Sequence, residues 1–267
     1  MEFALPPHRA YIHFAARRVR IHIPGALSIL KGAVPDRTRG FGHTAPTYVS
    51  RFPGSNIPRP GRHLISARGT LTDKQIEEAK AALRTKARQR RAAIFDSIRP
   101  DAARSAAAHF FAGVHLKPTD IVAGYWRIKD EMDCQPILVG LMDANQPVCL
   151  PVVLGDELPL ELRLWEPGTP LYEAGFGTLA PSELAPQVEP DVILMPLLGF
   201  DAQGTRLGYG GGYYDRTLAK LSKKPRLIGL AFADQEIDTI PREAHDVPLD
   251  AVVTETGVRH FNNGVTA

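Results

Sequence analysis

Four glycines within five residues, Gly208, Gly210, Gly211 and Gly212, constrain this chain more than any other stretch. Such a backbone is free to take positive φ and to bring N–H groups against an anion with no Cβ in the way. Before it, Asp191 to Pro196 (DVILMP) reads as a buried strand; after it, Tyr213 to Leu221 has the apolar spacing of a helix. Strand, glycine turn and helix N-terminus in that order make a place where backbone amides and the helix dipole both favour bound phosphate. The spacing is not that of a dinucleotide fingerprint, which would need glycine at Tyr213. Nor is it a P-loop, which needs Gly-Lys followed by Ser or Thr. Glycine content alone favours a tight structural turn in which Asp215 complements the helix dipole.

The remaining chain alternates helix and strand patterns. Thr72-x-x-Gln75 reads as a capping box, and Ile76, Ala79, Leu83, Ala87 and Ile94 recur on one face of a long first helix. Lys80 and Arg84 project four residues apart from one face, with Arg88 extending the stripe; a solvated basic face is the ordinary explanation. A second helix is predicted over Asp101–Val114, a strand over Asp120–Trp126 and a helix over Met132–Met142. Strands follow at Pro147–Leu154 and Leu160–Trp165, irregular structure at Phe176–Pro186, and strands at Arg226–Phe232 and Asp250–Thr254. Alternation of this kind predicts one three-layer α/β domain, a mostly parallel sheet flanked by helices, over residues 71–258, with 259–267 as a tail. Ligands of such sheets gather at the carboxyl ends of the strands, which makes Glu131 a candidate contact for a polar ring system.

Residues 1–70 differ in character. They hold eleven Lys or Arg against two acids, Glu2 and Asp36, leaving 21 basic and 27 acidic residues beyond, so the leader is +9 and the body −6. Eight prolines and seven glycines without sustained periodicity predict a disordered basic extension, with a short helix at most over Ala10–Ile23. A transit peptide, a nucleic-acid-binding arm and an over-extended reading of the start near Leu71 are the alternatives. Cys134 and Cys149 stand apart from ligand-spaced partners, which predicts buried reduced thiols rather than a zinc site or a disulfide framework. No apolar run approaches the roughly 18 residues of a membrane span.

The full string Asp201-x-x-Gly204-x-Arg206-Leu207-Gly208-x-Gly210-x-Gly212-Tyr213-Tyr214-Asp215-Arg216 resembles the signature of the 5-formyltetrahydrofolate cyclo-ligase (5,10-methenyltetrahydrofolate synthetase) family. Lys80-Ala81-Ala82-Leu83-Arg84 is similar to that family's ATP-binding Lys-x-x-Leu-Arg element, and Pro241 to Asp250 to its Pro-x-x-x-x-Asp-x-x-x-Asp element. The resemblance spans about Leu71 to Thr254. It implies cyclisation of 5-formyltetrahydrofolate to 5,10-methenyltetrahydrofolate, with ATP as co-substrate, Mg2+ as cofactor, and ADP and phosphate released. It implies ATP contacts at Lys80, Arg84, Arg206, Leu207, Gly208, Tyr209, Gly210, Gly211, Gly212, Tyr213, Tyr214 and Asp215, of which Lys80, Arg84, Arg206 and Tyr213 are catalytic. Folate contacts are implied at Trp126, Glu131, Tyr209 to Gly212 and Tyr213, and Asp215 and Asp246 are implied as metal carboxylates. Apart from the resemblance, Trp165 offers a flat apolar surface on which a pterin could stack, a core or turn-capping tryptophan being the equal alternative. Tyr209 and Gly211 lack the basic residues occasionally found in this loop, so phosphate contact there falls to backbone N–H groups. The expectation is a cytoplasmic enzyme of small-molecule substrates, monomeric or weakly dimeric, acting on no membrane and no nucleic acid. The rivals are another ATP-dependent ligase or kinase on the same fold, or a basic nucleic-acid-associating protein with an inactive folate-binding domain.

Overall fold

The computed structural model describes residues 72–243 and 245–261; the expectations for the leader, including Ala10–Ile23, and for residues 262–267 lie outside the described residues. Helix α1 (Asp73–Ala92) starts at the expected capping box: the Thr72 N–H donates to Gln75 Oε1 at 2.9 Å and the Gln75 N–H to Thr72 Oγ1 at 3.4 Å. Helix α2 (Arg99–Gly113) begins two residues earlier than expected because Pro100 sits inside its first turn, where its missing N–H costs no hydrogen bond. Strand β1 covers only Val122–Ala123; Gly124 continues the pairing through its N–H to the Cys149 carbonyl, and the chain then leaves the sheet. Helix α3 (Gln135–Asp143) likewise starts at a proline, Pro136, three residues after the expected position.

Strands β2 (Val148–Val152) and β3 (Glu161–Trp165) form a hairpin, and β4 (Tyr172–Glu173) pairs with β5 (Leu179–Ala180), of which β5 lies inside the segment expected to be irregular. After β6 (Val192–Pro196) come the small hairpin β7 (Gly199–Phe200) and β8 (Arg206–Leu207), the glycine loop, helix α4 (Tyr213–Lys220), β9 (Arg226–Leu230), β10 (Ala251–Thr254) and β11 (Gly257–His260). The main sheet has the order β11-β10-β9-β6-β1-β2-β3, with β2, β1, β6, β9 and β10 mutually parallel and an antiparallel strand at each edge. Strand β11 was not foreseen, and it carries the sheet two residues past the boundary placed at 258.

Period-2 alternation sorts the core. Val192 and Leu194 join Val122, Ile228 and Val253 under α2 and α3, whose Ala106, Phe110, Leu138 and Leu141 are buried there. Ile193 and Met195 face the other way with Leu227 and Val252, against Tyr214 and Leu218 of α4. The three layers are therefore as expected. Helix α1 packs Leu83 and Ala87 on Leu198, Leu207 and Ile240, beside the β7–β8 hairpin that launches the glycine loop.

Candidate active site

The glycine loop is braced before it begins. Asp201 is 2% exposed; its Oδ1 accepts the N–H groups of Gln203 and Thr205 at 3.0 and 2.8 Å, and its Oδ2 that of Ile240 at 3.2 Å. The first residue of the signature thus closes a turn and ties it to the segment leading to Asp246. In the loop, Gly210 and Gly212 take φ of +94° and +65°, which an L side chain adopts only under strain. A Cβ on Gly210 would reach van der Waals contact with the Arg84 guanidinium at 3.4 Å, so the backbone angle is what excludes a side chain there. Gly212 is the N-cap of α4 and offers no side chain to the helix amides, so these remain available to an anion.

Helix α1 turns its cations toward the same space. Lys80 is 5% exposed and donates to Glu243 Oε2 at 2.7 Å and Asp246 Oδ2 at 2.6 Å. Burial disfavours the ammonium, yet these two carboxylates outweigh it and raise the Lys80 pKa. Burial likewise opposes the charged form of Asp246, while Lys80 and the Glu243 N–H outweigh it and hold its carboxyl below the usual value. Arg84 Nε donates to the Gly208 carbonyl at 3.2 Å and its Nη1 pairs with Glu77 at 2.7 Å; Arg88 Nη2 donates to the Tyr209 carbonyl at 3.2 Å. Arg206 pairs with Asp215, which opens α4.

These groups line one cavity of about 940 Å3, at the upper end of the roughly 300–1,000 Å3 typical of ligand sites. Its other half is different in kind. Glu131 is 4% exposed, accepts the Ile128 N–H at 2.8 Å and receives the Tyr209 hydroxyl; burial raises its pKa despite that hydrogen bond. Pro151, Val153, Leu160 and Phe176 supply an apolar wall. Phe176 is 62% exposed at a φ of +61° and stands edge-on to Tyr213, ring centroids 5.9 Å apart. A strained, solvent-facing aromatic beside a cavity is the arrangement expected where a ligand ring completes the contact.

Of the residues singled out from the sequence, Lys80, Arg84, Trp126, Glu131, Arg206, Leu207, Gly208, Tyr209, Gly210, Gly211, Gly212, Tyr213, Tyr214, Asp215 and Asp246 all line this cavity. Trp165 does not. It ends β3, donates through Nε1 to the Thr169 carbonyl at 3.4 Å and packs on the α2–α3 core, so the geometry does not support a pterin-stacking surface there. The two metal carboxylates are also differently placed than as a simple pair. Asp246 clusters with Glu243 and His245, their ligating atoms all within 4.8 Å of one another, whereas Asp215 is outside that group and held by Arg206. Hard carboxylate oxygens at Asp246 and Glu243 suit Mg2+, and Lys80 already marks the spot as one where positive charge is stabilised. Sequence reasoning missed Arg91, Asp130, Phe176 and Glu243. For Glu243 its place three residues before Asp246 was a usable signal; for Arg91 the only hint was a cation in register with Ala87 and Lys80.

Among the described residues no helix is long and apolar enough to cross a membrane. The sequence profile of the 5-formyltetrahydrofolate cyclo-ligase family matches residues 76–255. The chain is 34% identical over 184 residues to the 5-formyltetrahydrofolate cyclo-ligase of Mycolicibacterium smegmatis, covering 66% of this chain and 93% of that protein. It is 32% identical over 174 residues to that of Haemophilus influenzae, covering 62% and 92%. The solved structure of Aquifex aeolicus 5,10-methenyltetrahydrofolate synthetase superposes with a TM-score of 0.61 at 30% identity, over 70% of this chain and 95% of that one. This chain is therefore an enzyme of the ligase class, and it belongs to the 5-formyltetrahydrofolate cyclo-ligase family.

Proposed function

We propose that the protein cyclises 5-formyltetrahydrofolate to 5,10-methenyltetrahydrofolate, consuming ATP and releasing ADP and phosphate. The observation that carries this reading is a single cavity with a cationic, amide-lined half and an apolar half holding one buried carboxylate. A formamide oxygen is a poor leaving group, so its attack on the γ-phosphorus, with loss of ADP, converts it into a good one. N10 then attacks the activated carbon, gives up its proton, and phosphate departs.

No protein nucleophile is needed; the chain positions and neutralises. The amides of Gly210 to Gly212 and the α4 N-terminus face the phosphates, with Lys80, Arg84 and Arg206 balancing charge. Glu131 accepts from the pterin N–H groups, with Trp126 beside it. Phe176 and Tyr213 flank the aromatic part of the folate in place of Trp165. Asp246 with Glu243, and Asp215 once released by Arg206, are the residues that would hold Mg2+. Bound there, the ion neutralises phosphate charge. Protein, ATP, Mg2+ and 5-formyltetrahydrofolate are mixed and the near-ultraviolet absorbance of the methenyl product is followed. An ATP-dependent rise that Asp215→Asn removes is expected; no rise with the wild-type protein would defeat the reading.

A further inference from the structure

Tyr209 belongs to the glycine loop through its backbone, yet its side chain turns inward. Its hydroxyl meets Arg91 Nη1 on one side and donates to Glu131 Oε1 on the other. Arg91 is held in turn by Asp130, 2.8 Å from Nη2, and by the Leu197 carbonyl, 3.3 Å from Nη1, and its guanidinium lies 5.4 Å from the centre of the Tyr209 ring. One phenolic oxygen thus joins a cation of α1 to the carboxylate on the connection after β1. Arg91 is only 4% exposed, and its Nε has no hydrogen-bond partner among the described residues. Burial disfavours the guanidinium, and Asp130 with the Tyr209 hydroxyl outweighs it, so the cation is held charged against that hydroxyl.

We propose that Arg91 and the Tyr209 hydroxyl are positioning groups that hold the Glu131 carboxylate, fixed and ionised, toward the folate half of the cavity, and that Tyr209 thereby ties the nucleotide loop to the folate contact. This rests on Glu131 meeting the folate, as in the proposed function. The groups that face Glu131 are Arg91 from α1, Tyr209 from the loop, Tyr214 from α4, Tyr125 after β1, and Asp130 and Cys134 on its own connection. Burial keeps the three phenols and the thiol protonated at neutral pH; the Tyr209 hydroxyl, the Ile128 N–H and then Arg91 oppose the desolvation of Glu131, Arg91 being the cation that also offsets the Asp130 charge.

The test compares wild type, Tyr209→Phe, Arg91→Met, Arg91→Lys and the Tyr209→Phe/Arg91→Met double variant, each checked for a cooperative thermal transition. Equilibrium binding of 5-formyltetrahydrofolate by calorimetry needs no turnover, so it separates this proposal from the proposed reaction: a wild type that binds without converting defeats the latter alone. A wild type that does not bind overturns both. Losing a hydrogen bond to a charged group predicts about tenfold weaker folate binding by Tyr209→Phe, with ATP affinity within about twofold. Arg91→Met should weaken folate binding similarly and Arg91→Lys restore part of it. The double variant should lose little more than either single one, because both act through the same carboxylate. Glu131 without Arg91 should protonate at higher pH, moving the acid limb of folate binding, and of kcat/KM, upward in Arg91→Met. Folate binding within about twofold of wild type in Tyr209→Phe, or equal losses for ATP and folate, would overturn the proposal. So would an acid limb that stays in place. If Arg91→Met does not fold, Tyr209→Phe, which deletes one oxygen, decides.

Discussion

Replacing Lys80 by Met removes the cation between Glu243 and Asp246 while keeping the length of the apolar stem. The Lys80 side chain is 6% exposed and its partners 17% and 23%, at 2.7 and 2.6 Å, so water replaces the lost charge poorly. Breaking a buried pair by removing one partner costs about 3–5 kcal/mol, and the partial exposure of both carboxylates points to the lower end, about 3 kcal/mol. For a domain of this size that is a fall in melting temperature of roughly 6–12 °C at pH 7.5. The pH dependence follows from the sign of each shift. The folded Asp246 pKa is depressed, so its contribution is present above its ordinary value of 3.8 and is lost as pH falls through the folded value. The folded Lys80 pKa is raised above 10.5, so its contribution is full below 10.5 and is lost as pH rises through the folded value. The wild type–variant gap is therefore widest across neutral pH and narrows below 3.8. Thermal unfolding followed by circular dichroism across pH measures it. Added Mg2+ should stabilise Lys80→Met more than wild type, because the ion takes the place of the missing ammonium. A variant melting within about 2 °C of wild type at pH 7.5, or a gap that does not narrow in acid, would refute the reasoning.

Gly210→Ala places a Cβ at φ +94° and 3.4 Å from the Arg84 guanidinium; a loss of about 1–3 kcal/mol in urea unfolding and a raised KM for ATP are expected. Phe176→Gly relieves the φ of +61° and deletes an exposed ring, so the melting temperature should hold or rise while KM for 5-formyltetrahydrofolate increases about tenfold. Cys134 and Cys149 are buried and their thiols pushed up to about 12 by desolvation. Neither should react with a thiol reagent at pH 8 in the folded protein, and both should react once guanidinium unfolds it.

Much of the fold was legible because it is written in local periodicity. The capping box at Thr72, the buried runs of β2 and β6 and the strand–glycine–helix order around Gly208 each depend on neighbours a few residues away. The errors fall where backbone partners, rather than pattern, set the limits. The run from Asp120 to Trp126 has strand composition throughout, but after Gly124 the chain leaves the sheet toward Glu131. Trp165 suits a stacking surface and a core or turn position alike, and only the packing of its half-buried ring against the α2–α3 core and its hydrogen bond to Thr169 favour the second.

What the sequence determined by itself is the loop from Asp201 to Arg216, its place between the buried strand β6 and helix α4, and the cation pair at Lys80 and Arg84 four residues apart on one helix; the β7–β8 hairpin that intervenes before Gly208 was not foreseen. Tertiary structure alone decided which charges those cations meet. Lys80 and Asp246 are 166 positions apart and Tyr209 and Glu131 78. It also put Arg91 beneath Tyr209, and Phe176 over the cavity while turning Trp165 away. The physical reason is that helical and strand periods are fixed by steric and hydrogen-bonding rules within one segment, whereas the desolvation and pairing of a charge depend on whatever segment the fold brings against it.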